Sequence, residues 1–242
     1  MRMDSPAVRG SDAVHRVLDQ ELAATRERGI EHPVVVDVGG GSGVWAVPLA
    51  VAGCTVTVVE PNPNALATLS RRAEEEGVAD RITGVAEDAD ALGDIVPAGS
   101  ADIVLAHGLL EVVDDPAAAA AALAKAVSGD GVVSVLVANR HAAVLHRALA
   151  GRFDEARALL TGPDGVLPDD GEVLRRFDVE SLTRLLDGAG LAVAALRGDG
   201  VVSDSVPDPN EDEVTEFERT AASMPPLRDI ASRLHALARR AG

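Results

Sequence analysis

The sequence predicts an α/β fold, a largely parallel sheet with helices on both faces. Three observations carry this. Short apolar, β-branched runs recur between residues 34 and 139, each followed by a stretch of helical spacing or helix-forming composition. One junction, "VVVDVGGGSGVWAVPLA" (34–50), crowds four glycines between a buried run and a helix, where unpaired amides and a closely approachable backbone await a polar ligand. The 242 residues, 47% hydrophobic and 25% charged, suit one sizeable domain with a real core. Strands that alternate with helices pair in parallel through crossovers that cover both faces.

The elements follow in order. "SDAVHRVLDQELAATRER" (11–28) is a helix behind a Ser/Asp cap, stopped by Gly29. Val34–Val38 is the first strand and 43–52 its helix, ended by Gly53. "TVTVVE" (55–60) is the second strand and "NPNALATLSRRAEEEG" (62–77) the second helix. "RITGVA" (81–86) and "ADIVLAHG" (101–108) are the third and fourth strands. A helix starts at Asp115-Pro116, a cap followed by proline in the first turn, and the alanine run to 127 continues it by propensity. "GDGVVSVLVAN" (129–139) is the fifth strand.

After Asn139 the rhythm breaks. "RHAAVLHRALAGRFDEARALL" (140–160) reads as two short helices and "TGPDGVLPDDGE" (161–172) as an exposed acidic loop. Regular order resumes with "DVESLTRLLDGAG" (178–190), a helix capped by Asp178, and "LAVAALRG" (191–198), a strand. "SRLHALARR" (232–240) is open between strand and helix. Residues 140–177 thus form a lid-like insertion at the ligand-binding edge of the sheet, and 1–30 a helical N-terminal segment of the same single domain.

Charge and cysteine content narrow the function. A formal net charge of −17 opposes a large nucleic-acid face. A single cysteine, Cys54, excludes an internal disulfide, and no apolar run reaches the roughly 18 residues of a membrane span. A cytoplasmic protein, monomeric or homodimeric, with no DNA or membrane partner is expected. No His or Cys cluster has metal-ligand spacing, so no metal is expected either.

The glycine spacing decides among ligands. A dinucleotide fingerprint fails in both registers, because its third glycine would fall on Val44 or Ala46. A P-loop lacks its Lys-Ser/Thr pair. What stands is Asp37-x-Gly39-x-Gly41-x-Gly43, with Gly40 inside the turn. This resembles motif I of class I S-adenosylmethionine-dependent methyltransferases, whose fold is a Rossmann-like seven-stranded sheet.

The resemblance implies S-adenosyl-L-methionine as cofactor and S-adenosyl-L-homocysteine as product. It places Asp37 and the glycines around the cofactor, and Glu60-Pro61, at the end of the second strand, on its ribose. It places Asp88 on the adenine amino group, with Glu87 contributing backbone, and sets His107 with Gly108 in the pocket floor facing substrate. Glu111 is given a structural role.

The chain is similar to a narrower group as well, bacterial tRNA methyltransferases that esterify 5-carboxymethoxyuridine. The matching stretches are "VDVGGGSG", "LAHGLLEVVDDP", "GDGVVSVLVANRHAAVLHRALAGRFDEA" and "SRLHALARR". The last implies a closing strand at 232–240, and a loose alignment brings Arg9 to the cofactor carboxylate. The lysine-rich stretch of that group is replaced here by acidic "TGPDGVLPDDGE", and "GDGVVSDSVPD" (198–208) lacks its arginine and aromatics. Phosphate contacts supply most nucleic-acid affinity, so a small-molecule substrate is favoured over tRNA.

Methyl transfer requires nucleophile, methyl carbon and sulfur to be held in line in a dry pocket, with a base if the nucleophile is a hydroxyl or amine. His107, Asn139 and His141 are the candidates for base or positioning residue, with His146 near them. Arg140, Arg152 and Arg176 are candidates to receive an anionic substrate. The main reading is a methyltransferase acting on an oxygen or nitrogen of a small molecule, with tRNA wobble uridine as its rival. A non-catalytic cofactor-binding protein and an NAD-dependent oxidoreductase are the readings from other classes.

Overall fold

The computed structural model describes residues 11–163, 165–169, 172–202 and 211–241. In chain order its elements are α1 (Ser11–Glu27), β1 (Val34–Val38), α2 (Ala46–Val51), β2 (Thr55–Val59), α3 (Pro63–Glu75), β3 (Ile82–Val85), α4 (Leu92–Ile95), β4 (Ala101–His107), α5 (Pro116–Ala126) and β5 (Val127–Ala138). Then come α6 (Arg140–Leu149), α7 (Phe153–Thr161), β6 (Leu167–Asp169), β7 (Glu172–Leu174), α8 (Val179–Gly188), β8 (Leu191–Asp199), α9 (Glu211–Ala221) and β9 (Arg233–Arg240).

Seven strands form one sheet in the order β3-β2-β1-β4-β5-β9-β8. From β3 to β5 all neighbours are parallel, whereas β9 runs antiparallel to both β5 and β8. The 232–240 segment is therefore a strand. Strand periodicity sends alternate residues to two cores. Val36, Val104 and Val133 face α4, α5 and α8, while Val35, Ile103 and Val132 face α1, α2 and α3. Helix entry is fixed by side-chain caps: Asp115 accepts from Ala117 N–H and Ala118 N–H, and Asp178 forms a capping box with Ser181.

Two local readings are corrected, and two helices are added to them. The helix after β1 begins at Ala46 rather than 43, because Gly39, Gly41 and Gly43 all hold positive φ, which a right-handed helix cannot absorb. The acidic stretch after α7 contains a short antiparallel hairpin, β6–β7, in register Leu167↔Leu174. The four-residue α4 is too short to show a helical period, and α9, with Val214, Phe217 and Ala221 at helical spacing, lies in a stretch to which the sequence reading assigned no element. Residues 140–177 leave and rejoin the sheet at one point, since Arg140 N–H donates to Phe177 O and Phe177 N–H to Ala138 O.

Candidate functional site

The carboxyl ends of β1, β2 and β4 open onto a cleft of about 300 Å³. Gly39, Glu60, Pro61 and Asp88 line it, as do Gly108, Leu109, Val112 and Val113, with Asp90 and Asp114 beside them. A parallel sheet brings these together because every strand from β1 to β4 ends on the same edge.

The glycine turn is built for close approach. A Cβ on Gly40 would lie 2.5 Å from Asp37 Oδ2, and one on Gly43 would overlap the buried Leu69 Cδ1 of α3, whose side chain would have to shift. Gly41, at φ +56°, has open space around it, and its N–H donates to Glu60 Oε2 at 3.0 Å. Asn62 N–H donates to the other oxygen, Oε1, at 2.8 Å. Glu60 thus stands between the glycine turn and the start of α3 with lone pairs left on both oxygens.

Asp37 is 1% exposed, and its Oδ2 has no hydrogen-bond partner among the described residues. Burial, and secondarily the charge of Glu60, push its pKa up to about 7. A buried carboxyl with an unsatisfied oxygen beside an open glycine turn suits a cationic or donor group of a ligand. On the opposite wall Asp88 uses Oδ1 to cap Ala89 N–H at 2.7 Å.

The other expected residues are placed differently. Glu87 is exposed and does not line the cleft. His107 has the parity of Ile103 and Leu105, so it turns to the α1 face while Gly108 and Leu109 line the cleft. There its ring lies edge-on to Trp45, 4.5 Å between centroids, and Trp45 stacks on His15 at 4.3 Å. Burial holds its pKa well below the ordinary histidine value.

Asn139 is 1% exposed: Oδ1 caps His141 N–H, and both Nδ2 donors are taken by Asp229 O and Ala231 O. It fastens α6 to the 228–231 turn, and its burial with both donors used sets it apart from the expected substrate-facing role. His141 is exposed in a separate groove with Asp178, Thr183 and Asp229, so it does not join the cleft either. His146 is exposed too.

Arg140 donates to the carbonyls of Leu159, Leu160 and Gly162 and pairs with Asp178, Arg152 pairs with Glu155, and Arg176 donates to Leu174 O. Arg140 is thereby engaged by the chain itself and Arg176 is buried, while Arg152 stays half-exposed; none of the three lines the cleft. Arg9 lies outside the described residues. Glu111 accepts from Ala138 N–H at 2.7 Å, and burial pushes its pKa up to about 7.

The residues that sequence reasoning missed are Leu109, Val112, Val113, Asp90 and Asp114. The signal for Leu109, Val112, Val113 and Asp114 was an apolar and acidic run, "GLLEVVDD", directly after a strand end, and Asp90 lies in the acidic "AEDAD" that gave Glu87 and Asp88.

A family model described as a methyltransferase domain matches residues 11–196, over three-quarters of the chain. The chain belongs to this family. Among curated relatives, a tRNA 5-carboxymethoxyuridine methyltransferase of Escherichia coli K12 is 30% identical over 141 residues, which are 58% of this chain and 52% of the relative. A ubiquinone biosynthesis O-methyltransferase of Ralstonia nicotianae is 32% identical over 164 residues, 68% of this chain and 65% of the relative. The chain spans between half and two-thirds of the length of these relatives.

Among solved structures, the 1,6-didemethyltoxoflavin-N1-methyltransferase of Burkholderia thailandensis, with its substrate and S-adenosylhomocysteine bound, is similar with a TM-score of 0.57. It is 19% identical and covers 100% of this chain and 93% of its own. Magnesium protoporphyrin IX methyltransferase from Synechocystis PCC 6803, with bound S-adenosylhomocysteine, has a TM-score of 0.60 and 16% identity, covering 94% and 83%. At these identities the likeness shows the fold. Among the described residues no helix is long and apolar enough to cross a membrane.

Proposed function

We propose that the protein is an S-adenosylmethionine-dependent methyltransferase that methylates an oxygen or nitrogen of a small molecule and releases S-adenosylhomocysteine. The observation that supports this is Glu60, held by the N–H groups of Gly41 and Asn62 in a cleft it shares with Gly39 and Asp88, in a chain of the methyltransferase family. When bound, S-adenosylmethionine supplies a methyl group on a sulfonium leaving group. Glu60 has lone pairs for two ribose hydroxyls and is pre-oriented by two backbone donors. Asp88 keeps Oδ2 for an adenine amino group. Asp37 offers its unpartnered oxygen to an ammonium, and Leu109, Val112 and Val113 exclude water from the nucleoside side.

A small acceptor is supported over tRNA by charge. The cleft walls carry Asp88, Asp90 and Asp114, the chain has a net charge of −17, and the arginines named above in 140–177 are tied to carbonyls or carboxylates. Each phosphate contact would need a cation that is not engaged elsewhere. The test is incubation with methyl-labelled S-adenosylmethionine and either bulk bacterial tRNA or a tRNA-free metabolite extract. Label in the metabolite fraction is expected. Alkali-labile label in tRNA would instead establish the carboxyl methylation named for the E. coli relative.

A further inference from the structure

A second cavity lies on the opposite side of the sheet from the adenine wall. It opens to the surface between α1, β8, α9 and β9 and occupies about 110 Å³; its polar lining is exposed Arg16, Gln20, Arg197 and Arg219 over buried Asp199 and His235. In a chain of net charge −17 this is an unusual concentration of cations. Its one lining carboxylate, Asp199, is bound by Arg233 at 2.8 Å. Arg219 is held by exposed Glu216 through both Nε and Nη2, and Arg16 donates from Nε to the Asp12 carbonyl, its only side-chain hydrogen bond among the described residues. Arg197 makes no hydrogen bond or ion pair among the described residues, and its charge acts on His235.

The proton arrangement behind His235 sharpens the chemistry. Ser134 Oγ sits between two histidines, 2.9 Å from His107 Nε2 and 2.8 Å from His235 Nε2. One hydroxyl has one proton, so it donates to one ring and accepts from the other. Burial keeps both rings neutral. His107 Nδ1 is buried without a partner, and an orphaned N–H is the costlier of the two orphans, so its proton belongs on Nε2. The chain then runs His107 Nε2–H to Ser134, and Ser134 O–H to His235 Nε2. His235 carries its proton on Nδ1, the nitrogen left for the cavity. With Arg219 held by Glu216, the lining therefore offers two guanidiniums not paired with a carboxylate, Arg16 and Arg197, with an amide and an imidazole N–H, against one carboxylate bound by Arg233.

We propose that this cavity is an anion site that holds the carboxylate of the methyl acceptor as a handle. A carboxylate clamped by guanidinium donors has its lone pairs engaged, so it anchors rather than attacks, and the methylated atom lies elsewhere on the molecule. His235 on β9 is two strands from His107 on β4, about 10 Å at the usual strand spacing. The acceptor would reach back over that distance toward Gly108 and the cleft. Only the identity of the anion's owner rests on the methyltransferase reading; anion binding itself does not.

The test is NMR titration of the whole chain with benzoate and its neutral counterpart benzamide, alongside calorimetric titration with S-adenosylhomocysteine. Benzoate should bind at least tenfold more tightly than benzamide. Arg197→Gln should abolish that preference without changing S-adenosylhomocysteine affinity, and His235→Gln, which retains a donor, should retain part of it. Equal binding of the two probes, no benzoate binding at millimolar concentration, or an unchanged preference in Arg197→Gln overturns the handle. Loss of S-adenosylhomocysteine binding from the wild-type protein would instead overturn the cofactor reading and leave a benzoate result standing by itself.

Discussion

The cleft and the 140–177 segment use their charged side chains in opposite ways. Around the cleft, carboxylates keep valence in reserve: Asp37 Oδ2 has no partner among the described residues, and each Glu60 oxygen holds one backbone N–H. In 140–177, guanidiniums are engaged by the chain itself. Arg140 binds three carbonyls, Arg175 binds those of Leu110 and Val113, and Arg147 pairs with Glu155. Both regions hold charges at the ligand-side edge of the sheet, yet only one leaves them available. A charged residue becomes a candidate for binding when geometry leaves its hydrogen-bonding capacity incomplete, and residue type at a strand end does not reveal that.

The glycine turn contains the same contrast on a smaller scale, and it should show the largest effect. Gly43→Val would overlap Leu69 in a left-handed backbone, so a loss on the order of 3 kcal/mol or more is expected in denaturant unfolding. Gly41→Val meets only open space. Strain of about 1–2 kcal/mol should leave it folded, while binding of S-adenosylhomocysteine disappears. Wild-type affinity in Gly41→Val would show that the turn is not the pocket.

Glu60→Ala removes a charged acceptor worth about 1.5–3 kcal/mol, so affinity for S-adenosylhomocysteine should fall roughly 10–100-fold. Asn139→Ala should do the reverse. By unfastening α6 from the 228–231 turn it should destabilise by about 1–3 kcal/mol and leave that affinity unchanged. A drop in cofactor affinity for this variant would return Asn139 to the site.

The smallest effect is expected from pH. Asp37 has its pKa raised from 3.8 to about 7, so the folded state holds a proton that the unfolded state releases. Its contribution to stability therefore falls as pH rises from about 4 to 7. A ligand ammonium needs the ionised form. Affinity for S-adenosylhomocysteine should then rise severalfold between pH 6 and 8, and Asp37→Asn should remove the rise. A flat profile in the wild type would place the ammonium elsewhere.

How legible the molecule was in sequence follows the range of the interactions. β1, the glycine turn, β2 and Glu60 lie within 27 residues, and their spacing alone pointed to the ligand. The caps Asp115 and Asp178 were equally local. His107 was located on the right strand, but its face depended on β4 parity carried one residue past Leu105. Asn139 was read by position, and its true partners, Asp229 and Ala231, are about 90 residues away. The row His107–Ser134–His235 joins three strands, the last of which pairs antiparallel, and no local pattern announces it. The three-residue strands of the β6–β7 hairpin are too short to show a period, whereas α9 carries helical apolar spacing that the sequence reading passed over.

The central claim is that the cleft at the ends of β1, β2 and β4 takes S-adenosylmethionine. Isothermal titration of the wild-type chain and Glu60→Ala with S-adenosylhomocysteine, with NADH as the competing ligand, tests it most directly. The account predicts saturable binding to the wild type, a roughly 10–100-fold loss in the variant, and no heat from NADH. Equal affinity in the two proteins, or binding of NADH alone, would contradict it.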